Sequence, residues 1–254
     1  MKAITSVHEF MATSVAPYFA EPRSTWVFRG HSDCSFALMP SVGRAAHTSR
    51  SRAKYEQSLF DIFCREARGH MSANPEDEWE WLSLAQHHGL PTRLLDWTLN
   101  PLVALYFAVS AHPDRDGQFF ALRALAKASE KVRTESPFKI ARPVKYFPNI
   151  VTPRIRAQEG LFVVCSEVER PLDEVLRSEW GIEKHHIGSE AKEKLLYELF
   201  RLGVHASSLF PDIDGLAARL KWQHSVSPPL PGPNNALQPT VPPPLRAGET
   251  AAEL

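Results

Sequence analysis

Hydrophobic and polar positions along this chain change period several times, and each change predicts an element. Trp26-Val27-Phe28-Arg29-Gly30 is an aromatic and β-branched run ended by glycine, which predicts a strand. Tyr55, Leu59, Ile62 and Phe63 recur at helical spacing and predict an amphipathic helix over 52–68 with these residues on its apolar face. A second helix is expected from Trp79 to His88. Gly89 suits the left-handed residue that closes a helix, and Pro91 blocks its continuation. Thr92 to Trp97 is short and reads as extended. Asn100 is placed to cap a helix with Pro101 in its first turn, and the apolar run to Val109, Phe107 included, predicts a buried helix body. Asp116-Gly117 reads as a turn into a strand over Gln118 to Leu122, and Gly160 to Cys165 as a short buried strand. Ser189 to Leu202 predicts another amphipathic helix, with Leu195, Leu196, Leu199 and Phe200 inward. Strands and helices mix without a βαβ alternation and without an internal repeat, so the expected class is α+β.

The pattern stops near Ser225. Eight of the 21 prolines lie between Pro228 and Pro244, and no aromatic residue follows Ser225. Such a segment buries too little apolar surface to offset its ordering entropy. The expected organisation is therefore a folded unit over 1–224 and a disordered, Pro-rich tail over 225–254. Asn234-Asn235-Ala236-Leu237-Gln238-Pro239 resembles tails read through from recombination sites of bacterial integron gene cassettes, which implies a mobile bacterial gene.

Composition narrows the class without naming a function. Of 254 residues, 43% are hydrophobic and 23% charged, and the 29 basic residues balance the 29 acidic ones. No global field draws in nucleic acid. Cys34, Cys64 and Cys165 lie far apart, so neither a disulfide framework nor a structural zinc site is expected. Met1 to Phe10 has no apolar run of the signal-peptide kind, and Pro101 to Val109 is too short for a membrane span. A cytoplasmic protein without a membrane partner is expected.

Three stretches set polar groups among apolar neighbours. Arg29, followed by Gly30, His31 and Asp33, ends an apolar strand. Its planar fork suits either a phosphate or carboxylate ligand or an internal salt bridge, for which Asp96 is a candidate partner. Gln86-His87-His88 precedes Thr92-Arg93-Leu94-Leu95-Asp96-Trp97-Thr98, where Asp96 and Thr98 share a face if extended. Adjacent His87 and His88 diverge by about 100° on a helix, so no metal site is expected. Arg154-Ile155-Arg156-Ala157-Gln158-Glu159-Gly160 leads into the last predicted strand, and its Gln-Glu pair reads as either a solvated turn or a site. No GxSxG, Walker A, GxGxxG or HExxH pattern occurs.

At these residues the chain resembles the FRG domain family, named for its Phe-Arg-Gly motif. Phe28-Arg29-Gly30-His31 with Leu38, Pro40-Ser41 and Arg44 carries the first block. Leu84 to Thr98 with Asn100 to Ala108 carries the second, Arg156 to Phe162 the third, and Leu209 to Leu216 a closing segment. The resemblance covers about 24–220. More remotely, the order of motifs is similar to that of ADP-ribosyltransferases with an Arg–Ser–Glu triad, which implies a split mixed β-sheet with flanking helices. In that class an Arg ending the first strand holds NAD, a hydroxyl strand and an Ala-x-x-Phe helix follow, and a Glu precedes a later strand. The resemblance thus implies Arg29, Gly30, His31, Thr98, Arg93, Gln86 and His87 as binding residues, and Gln158, Glu159 and Asp96 as catalytic candidates. It departs at Asp96-Trp97-Thr98, which replaces Ser-Thr-Ser, and at Gln158, which stands where a Glu is expected. The implied function is NAD binding, with NAD as substrate, for ADP-ribosyl transfer to a protein acceptor or for NAD glycohydrolysis, in a toxin or anti-phage setting. The alternative is a non-catalytic nucleotide- or protein-binding module on the same fold.

Overall fold

The computed structural model describes residues 4–20, 26–46, 51–123, 126–149, 152–176 and 181–225. Six strands, β1 (Val27–His31), β2 (Leu94–Thr98), β3 (Gly117–Leu122), β4 (Val144–Tyr146), β5 (Gly160–Val164) and β6 (Ile182–Ile187), form one sheet in the order β4-β5-β2-β1-β3-β6. Every pairing between named strands is antiparallel, so the expected mixed, split arrangement is corrected to one antiparallel sheet inside an α+β fold. Pairing is nevertheless uneven. β1 meets β3 at five positions and β2 meets β5 at five, but β1 and β2 pair at one position, Phe28 opposite Thr98. The centre of the sheet is a seam.

Alternation along the strands sorts side chains onto two faces. Phe28, Phe119, Ala121 and Ile187 face a core built with the Pro101–Val109 and Ser189–Arg201 helices. Val27, Leu95, Trp97, Phe120, Leu161 and Val163 face the opposite side, under Leu38 and Leu172. A third cluster covers β4 and β5 with Trp79, Trp81 and Leu82 of the Glu78–His87 helix.

The helix ends follow their capping residues. Asn100 accepts the Leu102 N–H at 3.0 Å and Pro101 opens the helix. Asp77 caps Glu78–His87, and Gly89 leaves it at φ +84°. Gly30 lets the Pro101–Val109 helix lie directly on β1, because a Cβ there would stand 2.0 Å from the Ala104 carbonyl oxygen. Lys192, buried in the Ser189–Arg201 helix, donates to the carbonyls of Ser32, Ala111 and His112 at 2.6–3.0 Å and ties the end of β1 to the end of that central helix.

Three expectations change. The Arg52–Ala67 helix buries Glu56 and Phe60, whereas Leu59, Ile62 and Phe63 line an open apolar groove. Leu196 and Phe200 are half-buried rather than core. Ser225, the first residue of the expected tail, is helical within Ile213–Ser225, and the rest of that tail lies outside the described residues. Among the described residues no helix is long and apolar enough to cross a membrane.

Candidate functional site

The seam between β1 and β2 opens on the face covered by the Pro101–Val109 helix. A cavity of about 160 Å³ lies there. Its apolar wall comes from Phe28, Val103, Ala104 and Phe107, and its polar wall from Arg29, Asp96, Thr98, Arg154 and Gln158. A second cavity of about 240 Å³ adjoins it, sharing Asp96, Arg154 and Gln158 and adding Gln86, His87 and Gly89. The two form one cleft divided by a polar saddle.

Arg29 reaches this cleft through the seam. By alternation its side chain leaves β1 on the side of Val27 and His31, yet its guanidinium donates to the main-chain carbonyl of Asp96. It supplies the link across β1 and β2 that a ladder bond would otherwise make. Its Nε donates to His31 Nε2 at 2.9 Å, which requires a neutral His31 whose Nδ1–H faces the Phe36 carbonyl at 3.2 Å. Burial, then the nearby Arg29 charge, pull His31 down to about 3, so the acceptor form persists at neutral pH. Burial also lowers Arg29 from its ordinary value while the Asp96 carboxylate opposes the shift. Guanidinium remains charged under such pressure. The Arg29 side chain is 18% exposed and sits 3.9 Å from an Asp96 carboxylate oxygen that is itself on a 63% exposed side chain. This pair is loose and open, not a sealed internal bridge.

Asp96 is held from the other side. Gln86 Nε2 donates to it at 3.1 Å, and Gln86 Oε1 accepts from Thr92 at 2.7 Å, which fixes the amide orientation. Thr98 Oγ1 donates to the Gln158 carbonyl at 2.6 Å and accepts the Asn100 N–H at 3.0 Å, so this hydroxyl fastens the entry of β5 to β2. Gln158 follows the short helix Pro153–Ala157, donates its amide to the Leu209 carbonyl at 3.1 Å and lines both cavities.

Residues 24–117 match the family model of the FRG domain. Residues 24–117 form an FRG domain. No curated protein and no solved structure matches the chain. The matched region holds β1, β2 and the central helix, and therefore Arg29, Asp96 and Thr98. Gln158 and Arg154 come to the FRG cleft from beyond it.

Around this FRG cleft the expected site residues separate into groups. Arg29, Gly30, Asp96, Thr98 and Gln158 meet at the first cavity, and Gln86 and His87 at the second. His31 is behind Arg29 and outside both linings. Gly30 contributes backbone, its role being the close approach of the helix. Glu159 turns away: it adopts φ +46°, is exposed, and its carboxylate accepts from Asn100 Nδ2 at 2.9 Å. Arg93 requires a correction. Its side chain is 4% exposed, its Nη2 lies 2.7 Å from the 1% exposed Glu56 carboxylate, and further donors point at the Pro137 and Cys165 carbonyls. Every direction of its fork is occupied by protein, so it is architecture rather than a ligand contact.

Sequence reasoning missed Arg154 and misplaced Phe107. Phe107 is half-buried and walls the cleft instead of filling the core. Arg154 lies four positions before Gln158, the spacing of one helical face, and that signal was available. Its guanidinium sits over the Phe210 ring, 4.7 Å from the centroid. Burial, then the neighbouring His88 and Arg154, lower the His87 pKa from its ordinary value, which favours a neutral ring at the second cavity. Among the described residues no three His, Cys, Asp or Glu side chains gather to hold a metal ion. A larger cavity, about 540 Å³, lies along Leu59, Ile62, Phe63 and Leu84. It is bigger, but the polar groups that converge from separate strands are at the seam, and convergence is the better mark of chemistry.

Proposed function

We propose that this FRG domain binds NAD in the seam cleft and cleaves its nicotinamide–ribose bond, passing ADP-ribose to water or to a protein acceptor. The observation that carries the reading is the meeting of Arg29, Asp96 and Gln158 in one cavity, although 67 and 62 positions of chain separate them in turn. Their order along the chain and their elements follow the order implied by the remote resemblance to ADP-ribosyltransferases.

In that bond cleavage the electron pair of the C1′–N bond goes to the nicotinamide ring nitrogen, and the ribose becomes oxocarbenium-like until a nucleophile joins C1′ and loses its proton. Arg29 is suited to a phosphate oxygen, since it lines the cleft while its Nε and Nη1 are anchored on His31 and Asp96. Phe28, Val103 and Phe107 offer an apolar wall to a planar ring and exclude water there. Gln158 is neutral. With its amide nitrogen on Leu209, its oxygen suits a ribose hydroxyl and cannot balance positive charge. Asp96 is the carboxylate lining the cleft and, oriented by Gln86, is the group suited to stabilise the ribose cation.

Incubation of the full chain with NAD labelled in the nicotinamide ring tests this. Release of free nicotinamide that is abolished in Asp96→Asn supports it. NAD binding with no release in the wild-type protein favours the second reading, a non-catalytic nucleotide module, which the neutral Gln158 at the saddle favours. No NAD binding at all overturns both.

A further inference from the structure

We propose that Arg154 is the second cation of a diphosphate clamp, and that the cleft takes a dinucleotide whose two ring systems occupy separate cavities on either side of the saddle. The proposal rests on the nucleotide reading above and names the part of the ligand that decides selectivity.

Three observations meet at Arg154. It lines both cavities, together with Asp96 and Gln158. Among the described residues its guanidinium makes no ion pair with a carboxylate, and it lies over the face of Phe210. An aromatic face holds a guanidinium by its plane and leaves the N–H edges free to donate. The charge balance of the cleft then depends on it. Asp96 stands against Arg29 and offsets one positive charge, while burial favours the neutral form of His87. Arg154 is left as the uncompensated positive charge at the saddle, the position between the cavities where the anionic middle of a dinucleotide would lie. Each cavity alone, at about 160 and 240 Å³, falls short of the roughly 300 Å³ at which small-molecule pockets begin. A nucleotide-sized ligand therefore has to span both, and what crosses the saddle meets Arg154.

Calorimetric titration of the full chain with NAD, ADP-ribose, inorganic diphosphate and nicotinamide riboside tests the clamp. Arg154→Gln is expected to weaken NAD and ADP-ribose by about tenfold or more, the size of one lost charge-assisted hydrogen bond. It is expected to leave the riboside, which has no phosphate, unchanged. Arg154→Lys keeps the charge and is expected to lose less, and added salt is expected to weaken NAD more in the wild-type protein than in Arg154→Gln. Both variants are expected to melt with the wild type, and Arg154→Lys carries the test if the glutamine variant does not fold. Equal NAD affinity in wild type and Arg154→Gln overturns the clamp and leaves the nucleotide reading standing. Diphosphate binding that needs Arg154, without NAD binding, retains the clamp and removes the NAD reading. Absence of binding by NAD, ADP-ribose and diphosphate alike overturns both.

Discussion

Arg93 and Arg29 belong to two regions that begin alike and end differently. Arg29 lies within β1 and Arg93 directly precedes β2, and each donates to a main-chain carbonyl of another element. Around Arg93, the Arg52–Ala67 helix brings Glu56 into the core, and a bidentate pair closes with both side chains almost wholly buried. Around Arg29, the nearest carboxylate is on an exposed side chain 3.9 Å away, and the strands part instead of closing. An arginine's role here is decided by whether a distant element delivers a carboxylate to it. A buried ion pair has little left to offer a ligand, whereas an arginine anchored on two of its nitrogens is pre-oriented and still has donors in hand.

Breaking the closed region is expected to have the largest effect. Glu56→Gln leaves the buried Arg93 charge uncompensated and should cost about 3–5 kcal/mol in urea unfolding. The double variant Glu56→Leu with Arg93→Met should recover much of that loss. A cost under about 1 kcal/mol for Glu56→Gln would mean that the pair is not sealed and that the two regions do not differ as described.

The acid limb of stability sharpens the open region. His31 titrates far below its ordinary 6.5 in the folded protein, at about 3, and so binds its proton more readily when unfolded. Its contribution is complete above about 6.5 and is lost as pH falls through the window toward 3, with a slope of at most about 1.4 kcal/mol per pH unit. Chemical denaturation across that range should show a shallower decline in His31→Gln, which keeps an acceptor for Arg29 but cannot titrate. An unchanged profile would place the acid sensitivity elsewhere.

Arg29→Lys should weaken NAD binding by about tenfold while shifting unfolding free energy by less than about 1 kcal/mol. The reverse outcome, a large stability loss with affinity intact, would make Arg29 a second Arg93. Smallest is Phe107→Ala, expected to cost about 1 kcal/mol because the ring is half-buried. A loss of 3 kcal/mol or more would return Phe107 to the core and remove the apolar wall of the cleft.

What was legible in the sequence was local. The Asn100-Pro101 start, the Gly89 stop and the strand cores at Phe28, Phe119 and Val163 are specified by neighbours a few positions apart, and they appear where the pattern placed them. β6 and β4 were not visible. Ile182–Ile187 is an edge strand with mostly polar side chains, and Val144–Tyr146 has three residues, too few to show a period. The buried face of the 52–68 helix is rotated from the one expected: Phe63 does pack on the core, but Glu56 is buried by a partner 37 residues away while Ile62 is left outside. The site followed the same division. Asp96 and Thr98 on one extended segment could be read directly. The sealing of Arg93 and the turn of Glu159 toward Asn100 depend on packing between distant segments, which no local pattern carries, whereas Arg154 is marked locally by its four-residue spacing from Gln158.

The single paired position between β1 and β2 also bears on how the molecule breathes. β4, β5 and β2 are zipped by their own ladders, and so are β1, β3 and β6. Backbone joins the two halves at one paired position, and the rest of the link is the Arg29 side chain, the Pro101–Val109 helix and the core that Val27 and Phe120 share with Leu95 and Trp97. Proteins open in such cooperative pieces at free energies below global unfolding. Amide protons along the edge of β2 that faces the seam are therefore expected to exchange with deuterium ahead of those between β2 and β5. A ligand too large for the resting cleft would find its door in that same small excursion, with both halves of the sheet intact on either side.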